Sequence, residues 1–345
     1  MAAFRGCHYA LIAMLIALVL SACGGSEEVQ IAGRTMGTTY LVKVVARGRV
    51  DLTGLKQRID GRLESINHSM STYRADSDIS RFNAVESVGV PVAVSSDFIA
   101  VLKVARKLHD LTGGAWDGTI KPVIHLWGFG NTKRPKAVPS PDAIAAALSK
   151  TGFGHVRIHD DTAISKTLPG LTLDLASIAK GYGVDAVAGT LRREGFRDFL
   201  VEIGGEVFAA GLRKDGQPWR VGVNLPEPEA PADQVFRAVP ISNYALATSG
   251  DYRNYFVQQG RRYSHIIDPR NGRPVTHGVV SVSIYAPNCT LADGLATGIM
   301  VMGGDAGLAL LESLPSVVGL IIETGADGSF NSFATQGFPG EALTR

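Results

Sequence analysis

Leu171-Thr172-Leu173-Asp174-Leu175-Ala176-Ser177-Ile178-Ala179-Lys180-Gly181 changes its hydrophobic period part-way along. Leu171 and Leu173 alternate with polar neighbours, as in a strand that ends near Asp174. Beyond it, Ile178, Val184, Val187 and Leu191 follow a helical spacing. A helix start presents unpaired backbone N–H groups and a positive dipole end, a natural seat for a phosphate. Lys180 in the first turn opposes that dipole, which makes sense if an anion lies nearby. The plainer alternative makes Asp174 a helix cap and Lys180 a solvated surface residue.

On either side of this stretch, strands and helices alternate without a regular βαβ rhythm, and the fold class is α+β. Leu52, Leu55, Ile59, Leu63 and Ile66 form a helical stripe behind Asp51 as N-cap. Phe98–Leu111 predicts a second helix, ended by Gly113-Gly114, and Ala143–Leu148 a third. A further helix runs from about Ala292 to Met302. Strands are predicted at Thr39–Val45, Val156–Ile158, Leu171–Asp174, Phe199–Ile203, Val207–Ala210 and Trp219–Val223. Others fall at Tyr263–Ile267, Val279–Tyr285 and Val317–Glu323. The stretch from Pro226 to Asp233 reads as a solvated loop, and the tail after Asn331 has no clear period.

Three clusters carry chemistry. Ser264-His265-Ile266-Ile267-Asp268-Pro269 sets an imidazole and a carboxylate three residues apart, where a strand breaks into the turn Arg270-Asn271-Gly272. In Leu291-Ala292-Asp293-Gly294-Leu295-Ala296-Thr297-Gly298, a helix puts Asp293 and Thr297 on one face. A carboxylate and a hydroxyl there can be two oxygen ligands of a hard cation such as Mg²⁺. The third cluster is Asp174–Lys180. Smaller features are the bend Thr35-Met36-Gly37-Thr38, where a Met can lie on a flat ring, and Ser71-Thr72-Tyr73 before a polar loop at Asp78–Asn83. Gly114-Ala115-Trp116-Asp117 and Leu126-Trp127-Gly128-Phe129-Gly130 follow a helix end.

The chain has 345 residues, 45% of them hydrophobic, and a formal charge of +2. No Lys/Arg stripe stands out, which argues against nucleic acid as partner. Arg5 and His8 precede an apolar run from Tyr9 to Leu20, too short to span a bilayer, and small residues close it. Residues 1–22 therefore read as a secretory signal, 23–30 as a tether, 31–335 as the folded domain and 336–345 as a C-terminal tail. Once Cys7 leaves with the signal, Cys23 and Cys289 remain.

Taken together, these segments resemble the ApbE family of bacterial flavin transferases. The resemblance rests on TMGT (35–38), STY (71–73), SDISRFN (77–83), GAWD (114–117), LWGFG (126–130), LDLASIAKG (173–181), EIGGE (202–206), ATSGDY (247–252), SHIIDPRNGRP (264–274) and ADGLATG (292–298). It implies a two-lobed α+β domain of the T-fold type, with mixed or antiparallel sheets, flanking helices and FAD between the lobes. It implies cleavage of FAD at its pyrophosphate, transfer of FMN through a phosphoester to a Thr or Ser of an acceptor protein such as a membrane redox subunit, and release of AMP. By resemblance, Met36, Tyr73, Ala115, Trp116, Asp117, Asp174, Lys180 and Ile267 line the FAD site. Asp293, Thr297 and a carbonyl at Ala176–Ser177 hold Mg²⁺. His265 is the base for the attacking hydroxyl, and Asp268 either orients it or caps the turn.

Ser177 stands where other members often carry Thr, and Ala296 where some carry an acid. Leu20-Ser21-Ala22-Cys23 resembles a bacterial lipobox. That implies lipidation of Cys23 and a periplasm-facing, lipid-anchored place in the cell envelope, the outer membrane being favoured in a diderm cell because no Asp follows Cys23. Alternatives are a Mg²⁺-dependent FAD pyrophosphatase and a non-catalytic flavin-binding lipoprotein.

Overall fold

The computed structural model describes residues 26–130, 132–227, 234–251, 254–325 and 327–342. The signal segment, Cys23 and most of the Pro226–Asp233 loop lie outside these. The first half holds β1 (Ser26–Thr35), β2 (Thr38–Arg47), α1 (Leu52–Met70), α2 (Asp78–Ala84), β3 (Val92–Ala93) and α3 (Ser96–Leu111). Then come α4 (Lys121–Leu126), α5 (Pro141–Leu148), β4 (Val156–Ile158), β5 (Ala163–Lys166) and α6 (Ala176–Arg193). Next are β6 (Phe199–Ile203), β7 (Glu206–Ala210), β8 (Trp219–Asn224), β9 (Val235–Ile241), β10 (Tyr244–Gly250), β11 (Tyr255–Gln258) and β12 (Arg261–Ser264). The last are β13 (Ile267–Asp268), β14 (Arg273–Pro274), β15 (Val279–Ala286), α7 (Cys289–Met302), α8 (Gly304–Ser313), β16 (Val318–Thr324), β17 (Phe330–Ala334) and β18 (Glu341–Ala342).

An eight-stranded sheet in the order β1-β2-β6-β7-β10-β15-β16-β17 forms the frame, antiparallel at every pairing. Strand side chains alternate between its faces. Val42 and Val44 of β2, Phe208 of β7 and Ala245 of β10 meet Ile178, Val184 and Leu295 of α6 and α7 in the larger core. Val207, Leu246 and Ile322 point the other way, onto Trp219 and Val239 of the small β18-β9-β8 sheet. A third, smaller core gathers Val123, Trp127, Phe129, Ile144 and Ile267, and the β11–β12 hairpin packs Phe256 and Tyr263 against it.

Five expectations change. Residues 26–30 are strand, not tether: Ser26 pairs with Arg47 at the start of a ten-residue ladder. Leu171–Asp174 runs to α6 without a sheet partner. Leu173 bonds instead to the Asn83 side chain, which takes its N–H at 2.7 Å and donates to its carbonyl at 2.9 Å, while Asp174 N–H goes to the Gly118 carbonyl at 2.8 Å. Asp78–Asn83 is helical, because Ser77 caps it at Ser80 N–H. The run Tyr263–Ile267 breaks at His265, between β12 and β13. At the far end, Phe338 is buried and β18 pairs with β9, so Glu341 and Ala342 of the expected tail are sheet.

Candidate active site

The β1–β2 turn sets Met36 and Gly37 at positive φ (50° and 75°), the pairing a tight two-residue hairpin needs. The Met36 side chain lies on α6, where a Cβ on Gly183 would come within 2.9 Å of its Cε. Tyr73, 80% exposed, follows the end of α1. A cavity of about 690 Å³ joins these two to Asp174, Ala176 and Lys180. Four of the expected FAD-lining residues, distant in sequence, thus share one cleft. Its walls offer a thioether, an exposed phenol ring, a carboxylate and an ammonium.

Lys180 forms the floor. Its Nζ is 2.5 Å from Glu206 Oε1, and Glu206 is only 3% exposed. Burial alone would depress the lysine, but Asp293 and Glu206 outweigh it and hold Lys180 above the usual range. Burial, and then the Asp293 charge, push Glu206 up to about 8. Its Oε2 is buried without a hydrogen-bond partner. Glu206 was missed as a site residue in the sequence, where EIGGE served only as a motif. The signal available there was a Glu heading a strand whose every residue is buried.

Asp293 sits on α7, directly across from α6. It is 3% exposed, its Oδ2 accepts Gly181 N–H at 3.0 Å, and burial raises its carboxyl to about 6. That N–H belongs to a residue four beyond Ser177, so in a regular helix it points at the Ser177 carbonyl. Two oxygens from two helices therefore converge on one N–H. The approach requires glycine: a Cβ on Gly181 would stand 2.4 Å from the Cys289 carbonyl and 2.9 Å from Asp293 Cβ. Asp185 completes the joint by accepting Cys289 N–H, Thr290 N–H and Thr290 O–H at 2.8, 2.8 and 2.6 Å at the start of α7.

Thr297 lies one turn past Asp293, its Oγ1 3.2 Å from Ser249 Oγ on β10. Ser177 Oγ accepts Trp116 Nε1–H at 3.0 Å, leaving the main-chain carbonyl as the Ser177 ligand candidate. Among the described residues no three His, Cys, Asp or Glu side chains cluster as a metal site, so a cation here would draw on hydroxyl and carbonyl oxygens beside Asp293. Asp293, Thr297 and a Ser177 carbonyl are hard oxygen donors, which suits Mg²⁺. Asp293 and Glu206 share Lys180 as their nearby cation, and Glu206 Oε2 has no partner. A divalent ion beside them fits that charge balance.

The His265 loop is tied to the end of β10. Asp251, just past that strand, has its Oδ1 3.5 Å from Arg262 of β12, and Arg262 donates to the Asp251 carbonyl at 3.0 Å. His265 is half-buried, and its Nδ1 is 2.9 Å from the Asn254 carbonyl. That acceptor fixes the proton on Nδ1 and leaves Nε2, without a partner among the described residues, as the basic nitrogen. Burial holds His265 below the usual 6.5, with the Asn254 bond opposing.

The other expected residues turn inward. Asp117 accepts Thr119 N–H and O–H at 2.7 and 2.6 Å and Phe153 N–H at 3.0 Å, so its carboxylate braces a loop. Ala115 and Trp116 are buried in the larger core and Ile267 in the smallest one. Asp268 does not orient His265. It accepts Arg270 N–H, Nε–H and NH2 at 2.9, 2.8 and 2.9 Å and Asn271 Nδ2 at 3.2 Å. Of the two readings left open by the sequence, capping the turn is the one its contacts support.

Comparison with known proteins agrees with this layout. The profile of the ApbE family matches residues 36–322. This chain belongs to the ApbE family. A Vibrio cholerae serotype O1 relative named FAD:protein FMN transferase is 45% identical over 330 residues, covering 95% of this chain and 97% of its own. One of the same name from Haemophilus influenzae is 39% identical, covering 95% and 96%. Among solved structures, the flavin transferase ApbE from Vibrio cholerae superposes with a TM-score of 0.82 at 44% identity, covering 91% of this chain and 98% of that one. The apo flavinyl transferase ApbE of Pseudomonas stutzeri gives 0.81 at 36% identity, covering 90% and 95%. The ApbE fold accounts for the antiparallel frame and the joined α6–α7 layer described above.

Proposed function

We propose that this ApbE-family protein is a Mg²⁺-dependent flavin transferase that cleaves FAD at its pyrophosphate, attaches FMN to a Thr or Ser hydroxyl of an acceptor protein and releases AMP. The observation that carries the reading is one cleft lined by Met36, Tyr73, Asp174 and Lys180 and backed by the buried carboxylates Glu206 and Asp293. Phosphoryl transfer asks a protein for positioning and charge neutralisation more than for covalent work. Lys180, held by Glu206, brings a fixed positive charge to the cleft floor, and Tyr73 and Met36 offer surfaces for a flat ring.

Asp293, Thr297 and the Ser177 carbonyl would hold Mg²⁺, which when bound neutralises pyrophosphate charge. His265, neutral at pH 7 and with Nε2 unprotonated, takes the proton from the acceptor hydroxyl as that oxygen attacks phosphorus. Ser177 in place of Thr changes little if the ligand is its carbonyl. Ala296 leaves the metal with one carboxylate fewer than in some relatives. We also propose that Cys23 carries lipid and tethers the enzyme to the periplasmic side of the envelope.

The test is incubation of the mature protein with FAD, Mg²⁺ and a membrane subunit bearing an acceptor motif. The expected result is a mass shift equal to FMN on that subunit. Free FMN and AMP with no flavin on protein would sink the transferase reading in favour of a pyrophosphatase. FAD bound without turnover would leave a binding protein.

A further inference from the structure

The β1–β2 hairpin joins two ends of the molecule with different chemistry. Met36 closes one end, over the cleft. At the other end Ser26 pairs with Arg47. Cys23 stands three residues before Ser26, and three residues span at most about 11 Å however they run. A lipid on Cys23 would therefore enter the bilayer close to this second end.

That end is rich in arginine. Arg47, Arg49, Arg58 and Arg197 are exposed and line a cleft of about 530 Å³. Arg192 and Arg193 stand exposed in the last turn of α6, which leads into it. The carboxylates of the cleft have partners of their own. Asp51 caps α1 at Gly54 N–H (3.0 Å), Glu194 pairs with Arg58 (2.8 Å) and Asp198 accepts Leu212 N–H (2.9 Å). Nearby, Glu28 pairs with Lys43 at 3.8 Å, while Glu27 is exposed. Among the described residues, Arg47, Arg49 and Arg197 pair with no carboxylate.

We propose that this arginine-lined end docks on the anionic phospholipid headgroups of the membrane that holds the Cys23 lipid, a proposal that rests on the lipid-anchor reading. Guanidinium forks match phosphate oxygens bidentately. Three unpaired arginines at an anionic surface strengthen contact by about 10²-fold together. Docking also fixes orientation. The ten residues of β1, at about 3.4 Å each, put Met36 roughly 30 Å from the docked end. The FAD cleft then opens away from the bilayer, and an acceptor hydroxyl must be presented at that height.

The experiment uses the mature lipidated protein in nanodiscs of phosphatidylcholine alone or mixed with phosphatidylglycerol, read by amide hydrogen exchange. Exchange at residues 48–51 and 194–198 should slow about tenfold or more with phosphatidylglycerol present, while residues 36–38 stay unchanged. Salt should reverse the effect. The combined Arg47→Glu, Arg49→Glu and Arg197→Glu variant should lose the protection while still quenching FAD fluorescence. If it does not bind FAD, the three Arg→Gln changes replace it. Equal protection with both lipids, or protection that survives the arginine changes, overturns the docking surface. A protein that fails to enter nanodiscs, with no acyl mass on Cys23, overturns the anchor reading instead.

Discussion

Two aspartates, each from a motif that looks chemical in the sequence, have opposite fates. Asp293 lies where α6 and α7 touch, 3% exposed, with one backbone N–H on its carboxylate and Lys180 close by. Asp268 closes β13 just before the turn to β14, 9% exposed, with Arg270 and Asn271 saturating both oxygens. Both are buried, so burial does not separate them. Unused hydrogen-bonding capacity does. A carboxylate whose lone pairs are taken up by its own turn organises backbone. One buried with capacity left, facing a lysine and a second carboxylate, asks for a cation.

The comparison can be broken at several points. Asp293→Ala should lower flavin transfer by about 10³-fold or more, because the proposed Mg²⁺ site would lose its carboxylate. Flavin fluorescence on the acceptor in a denaturing gel measures this. Equal loss in Asp268→Ala would erase the distinction. His265→Ala should cost about 10²-fold by the same assay.

The pH profile sharpens the role of His265. Because burial holds its pKa below 6.5, kcat/KM should be level at neutral pH. It should then fall as pH drops through that lowered value and the imidazolium forms. A midpoint at or above 6.5 would count against His265 as the base.

Smaller effects test the frame. Gly181→Ala gains helix propensity but drives a methyl into the Cys289 carbonyl and Asp293. It should destabilise by roughly 1–3 kcal/mol, seen as a lower Tm, and weaken Mg²⁺ binding measured by calorimetry. Asp268→Asn should cost only about 1 kcal/mol and leave transfer within about threefold. A larger loss of activity at unchanged Tm would return Asp268 to the reaction.

Most of the frame was legible because its elements are periodic. Leu55, Ile59, Leu63 and Ile66 mark α1 and its buried face, and Asp51 caps it as its position suggests. The extended run before α6 misled because alternation reports which side chains are buried, not what the backbone bonds to. There Asn83, 90 residues away in the chain, takes the place of a neighbouring strand. Glu206 escaped notice because a Glu in a Gly-rich motif reads as a turn residue until its burial and its lysine are seen.

The α+β character, the ApbE resemblance and the segments that carry the chemistry could be read from the residues alone, since these depend on local period and on residue types at fixed spacing. Which polar groups in those segments have capacity to spare was set by folding. It placed Lys180 on Glu206, brought Gly181 against Asp293 and closed Asp268 into its own turn. That capacity depends on neighbours supplied by distant parts of the chain, and no local pattern records them.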